Sequence, residues 1–134
     1  MSESLEARIL DLRTRDARYS KNAYFFVLDA LDHTQSLLTS SGQVDRHIGG
    51  KELLEGIRNL ATERFGALAK EVFNQWGILS TEDFGQVVFN LVHEGLLQRR
   101  AQDSLLDFAN GYDFEREFES DYDFRAAWEK LGKA

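Results

Sequence analysis

The chain has 134 residues, with 16 Lys and Arg against 23 Asp and Glu, a formal net charge of −7, and neither cysteine nor proline. The absence of cysteine excludes disulfides, zinc–thiolate sites, iron–sulfur clusters and thiol nucleophiles, and no run approaches the roughly 18 apolar residues that a membrane span requires. A hydrophobic fraction of 43% and an aromatic fraction of 12% suffice for the core of one domain over 1–134, and the acidic start Met1-Ser2-Glu3-Ser4-Leu5-Glu6 is expected not to be a signal peptide, which fits a cytoplasmic protein.

Leu5, Ile9 and Leu12 recur at i, i+4, i+7 and predict a short first helix, with a polar connector over 13–18. A second helix is predicted over 22–38, with Tyr24, Val27, Leu28, Leu31 and Leu38 on a wide apolar face and Phe25 beside it. Thr39, Ser40, Ser41, Gly42 and Gln43 read as a loop, followed by a brief extended piece over 44–48. Gly49-Gly50 opens the third helix, whose stripe is Leu53, Leu54, Ile57, Leu60 and Ala61. Glu52 and Glu55 lie in its first turns, where the helix dipole favours anions. Phe65-Gly66 interrupts the pattern before a fourth helix over 67–76, carrying Leu68, Ala69, Val72, Phe73 and Trp76.

The strongest local signals come next. Gly77 in the left-handed region would stop the fourth helix and place Ile78 for a Schellman contact with Phe73. Ser80 and Asp83 have the spacing of a capping box, and Leu79 and Phe84 hold the hydrophobic-staple positions. Phe84, Val87, Val88, Leu91 and Val92 then form a fifth amphipathic helix, ended by Gly95 with Leu96 folding back on Leu91. Two helices joined by a short glycine-containing turn make a helix-turn-helix. Beyond it, Leu96, Leu97, Gln98, Arg99 and Arg100 with Leu105, Leu106, Asp107 and Phe108 read either as a β-hairpin wing or as a short helix capped by Ser104 and Asp107. The hairpin or irregular wing is the preferred reading.

A helix-turn-helix invites a nucleic-acid function, but charge opposes it. Duplex binding depends on Lys and Arg neutralising phosphates, and residues 71–98 contain neither while carrying Glu71, Glu82, Asp83 and Glu94. Arg99 and Arg100 are the candidate basic contacts of a wing; a regulator would need them to converge with Arg13, Arg15, Arg18 and Arg46. Nucleic acid is therefore the disfavoured partner.

The body over 1–100 is almost neutral, and the excess of Asp and Glu is concentrated in 101–134. That segment repeats Tyr112-Asp113-Phe114 as Tyr122-Asp123-Phe124. Disordered acidic tails seldom hold so many rings, so an ordered segment that completes the core is expected. The other reading makes Tyr112, Phe114, Phe118, Tyr122 and Phe124 a docking segment for a basic protein partner.

Catalytic and metal motifs are sparse. There is no G-x-S-x-G, P-loop or G-x-G-x-x-G. Asp29, Asp32 and His33 share a helix face but lack a matching set elsewhere, so a solvated face is expected. His93 suits the negative end of its helix, and His47 has no assigned role. Residues 107–113 fail the calcium-loop pattern at Ala109 and Gly111 and read as an Asn-Gly turn. No cofactor or metal is expected.

Several stretches carry a family resemblance: Arg15-Asp16-Ala17-Arg18-Tyr19, Ala23-Tyr24-Phe25-Phe26-Val27, Glu52-Leu53-Leu54-Glu55-Gly56-Ile57-Arg58, Phe65-Gly66-Ala67-Leu68-Ala69, Trp76-Gly77-Ile78, Thr81-Glu82-Asp83-Phe84-Gly85 and Val88-Phe89-Asn90-Leu91-Val92, with Asp107-Phe108 and Tyr112-Asp113-Phe114. Together, over about residues 15–118, they resemble the Minf-type family of small uncharacterised bacterial proteins. The resemblance implies a stand-alone domain without known catalytic or binding residues. The chain departs from it at Ala17 and Ala67, where proline would be expected at helix starts.

The resulting expectation is a mainly α fold of about five helices around one core, helix-turn-helix or winged-helix-like, divided into 1–18, a helical core over 19–100 and an acidic aromatic segment over 101–134. Its expected role is a non-enzymatic protein–protein interaction module. The alternatives are a winged-helix-like nucleic-acid-associated regulator and an enzyme using a carboxylate and His cluster. Homodimer formation is compatible with the sequence and specified by nothing in it.

Overall fold

A computed structural model describes residues 4–42, 48–97, 105–109 and 111–120. It is mainly helical, with five α-helices and no strand among the described residues: α1 Leu5–Arg15, α2 Lys21–Ser40, α3 Gly50–Phe65, α4 Ala69–Gln75 and α5 Thr81–His93. A 3-10 turn, Gly66–Leu68, joins α3 to α4, and two further turns follow α5, Leu105–Phe108 and Glu115–Ser120.

The first helix starts where Ser4 Oγ accepts from the Ala7 amide at 3.1 Å. It runs to Arg15, three residues into the expected connector, and buries Ile9 and Leu12. Leu5 is half in water, so the predicted stripe is buried at only two of its three positions. In α2 the buried face is Ala23, Tyr24, Phe26, Val27, Ala30 and Thr34. Phe26, outside the predicted face, is its deepest phenylalanine, while Leu28, Leu31 and Leu38 pack only partly against the core. The reason is local composition. Residues 24–28 are apolar throughout, so periodicity alone leaves their rotation open, and ring packing against Phe65, Phe73 and Trp76 fixes it. All five predicted core residues of α3 are buried, and its start is closed by the Gly49 amide donating to Glu52 Oε1 at 3.1 Å.

Both predicted Schellman caps form. Gly77 has φ +89°, and the amides of Ile78 and Gly77 donate to the carbonyls of Phe73 and Asn74 at 2.9 and 3.1 Å. Gly95 has φ +77°, and Leu96 and Gly95 donate to Leu91 and Val92, each at 2.9 Å. The entry to α5 is built differently from the expected box. Ser80 makes no side-chain cap. Asp83 instead accepts from the Leu79 amide at 2.8 Å and, through its other oxygen, from the Tyr19 hydroxyl at 2.6 Å. Leu79 is 70% exposed, so the staple with buried Phe84 does not form.

The wing is not seen. Leu105–Phe108 is a 3-10 turn rather than a strand, which agrees with the alternative short helix, while residues 98–104 lie outside the described part. Thr81 decides this path. Its buried hydroxyl donates to the Phe108 carbonyl at 2.6 Å and accepts from the Gly111 amide at 3.0 Å. Phe108 seats against Gly50 and Gly85, where a Cβ would meet it at 3.1 and 2.9 Å. From there the chain runs as a strap over α3 and α4.

The core is centred on Phe73. Its ring lies 5.0–5.8 Å from those of Phe26, Trp76, Phe84, Phe114 and Phe118, mostly edge-on, the geometry favoured by the ring quadrupoles.

Candidate functional site

The strap accounts for part of the aromatic segment. Phe114 and Phe118 are 4% and 2% exposed, inside the core. Tyr112 is half-buried and donates to the Leu54 carbonyl at 2.7 Å; burial pushes its hydroxyl pKa upward, so it stays a donor. These three rings are therefore engaged with their own chain. Tyr122 and Phe124 lie outside the described residues, as do Arg99, Arg100, Arg46 and His47.

Among the described residues, two concave sites stand out. The polar one, about 200 Å³, lies between α1 and α5 and is lined by Leu12, Arg15, Asp16, Asn90, His93 and Glu94. Its charges are matched internally. Arg15 pairs with Asp11 at 2.9 Å and with Glu94, and Arg8 donates to the Glu94 carbonyl at the end of α5. Asp16 accepts from Arg18 at 2.7 Å and from Asn90 at 2.9 Å, and Asn90 also reaches the Tyr24 hydroxyl at 3.0 Å. Hydrogen bonding to Arg18, reinforced by Asn90, holds the Asp16 carboxyl well below the usual carboxylate range. Such a group stabilises the fold above its unfolded pKa, near 4, and that contribution is lost as pH falls towards its folded pKa. Asp16→Asn is thus expected to flatten the decline of melting temperature between about pH 5 and pH 2; an unchanged slope would contradict this role.

The apolar site is a groove of about 370 Å³ between the C-terminal half of α2 and the N-terminal half of α3. It exists because α2 and α3 cross closely at a small residue. A Cβ on Gly56 would collide with Thr34 Oγ1, which donates back to the Ala30 carbonyl at 2.7 Å. Buried Thr34 and Gly56 form the floor. Leu37, 48% exposed, and half-buried Leu38 form one wall, and Lys51, Glu52, Glu55 and Asn59 line the other. No residue of this groove was singled out as a site from the sequence. Glycine and threonine in two helices carry no pattern that shows they meet.

The remaining candidates do not converge. Asp29 and Asp32 are exposed and His33 half-buried, and Asp29 pairs with Arg64 at 3.1 Å. No group of three His, Asp or Glu suited to a metal occurs among the described residues. His93 is exposed and stacks on Phe89, with ring centroids 6.1 Å apart. Arg13 donates to the Tyr19 carbonyl at 2.7 Å, while Arg15 and Arg18 are committed to carboxylates. No described helix is long and apolar enough to cross a membrane. Comparison of the chain with protein-family models, with curated proteins and with solved structures gives no match.

Proposed function

We propose that the chain is a non-enzymatic, cytoplasmic protein-interaction module whose docking surface is the α2–α3 groove. The observation that carries this reading is the half-exposed Leu37 wall over an apolar floor, in a groove bordered by Glu52 and Glu55. An amphipathic helix laid into an apolar groove is a common recognition mode. The occupant that fits is a helical segment with large apolar anchors at i, i+4, i+7 and basic residues beside them. Protein is preferred to nucleic acid because the described arginines beside α5 are already engaged, Arg8 with the Glu94 carbonyl and Arg15 and Arg18 with carboxylates.

A photo-crosslinking side chain in place of Leu37 should capture a defined partner in cells, and the same group in place of Leu10, exposed on α1, should not. Leu38→Glu beside the crosslinker should abolish capture while leaving the helical spectrum intact. Equal capture from positions 37 and 10 would overturn the reading, as would capture from neither.

A further inference from the structure

We draw no further inference here: the strongest candidate, the apolar groove between α2 and α3 with half-exposed Leu37 on its wall, belongs to the site already described, and nothing in the structure shows what covers it.

Discussion

Ending the chain after Asn110 is expected to abolish cooperative folding. The deletion removes Tyr112, Phe114 and Phe118, of which the two phenylalanines are almost fully buried against Phe73. Truncating one buried phenylalanine to alanine costs about 3–5 kcal/mol. Two such losses, with the Tyr112 bond to Leu54, approach the whole net stability of an ordinary domain, about 5–15 kcal/mol. The graded test is Phe118→Ala, which should lower the melting temperature by on the order of 10–20 °C at this chain length. Ending the chain after Ser120 keeps all three rings and should cost far less. Thermal melts followed by circular dichroism separate these outcomes. If the chain ending at Asn110 melts where the full chain does, the strap is not part of the core.

The same residues show what a sequence can and cannot display. Gly77-Ile78 and Gly95-Leu96 were legible because a Schellman cap is a local device: one residue at positive φ, one apolar residue after it, one partner five residues back. The stripe of α3 was legible because its polar face is continuous and leaves one rotation. The burial of Phe114 and Phe118 was half legible. Ring density argued for order, but only Phe73 and Phe84, some 30–45 residues earlier in the chain, determine where the rings go. Leu79 is a failure with a physical cause. Asp83 reaches the Leu79 amide with one oxygen and Tyr19 with the other, so the start of α5 is held by a carboxylate and needs no apolar clasp. The preferred wing is not shown among the described residues, and the 3-10 turn where its second strand would begin has a similar cause. Leu105, Leu106 and Phe108 have strand-like composition, but Thr81 and the glycines at 50 and 85 capture the Phe108 end through contacts that span at least 23 residues. The groove was not legible at all, since it is made by the crossing of Thr34 and Gly56 and nothing in either helix shows that the two positions meet.

Gly77→Ala should be among the most damaging single substitutions, and its comparison with Gly95→Ala separates two effects that glycine combines. At both positions φ is positive, +89° and +77°, so an alanine at either carries the left-handed penalty, about 1–2 kcal/mol. At Gly95 nothing else resists the new methyl, because the nearest atom is the end of the Arg8 side chain at 3.5 Å. At Gly77 the methyl would overlap the backbone carbonyl oxygen of Arg18. A backbone atom cannot swing aside as a side chain does. Either the 16–20 connector or the α4–α5 turn must move, and the Ser20 amide bond to the Trp76 carbonyl at 3.0 Å would be lost with it. The same movement would strain the Tyr19–Asp83 bond that closes the start of α5. The expected cost is about 3 kcal/mol or more, against about 1 kcal/mol for Gly95→Ala, measured by urea unfolding with unchanged m-value. Equal costs at the two sites would mean that the connector yields freely. In that case the docking of 16–20 on the α4–α5 turn would be an adjustable contact rather than a fixed joint between α1 and α5.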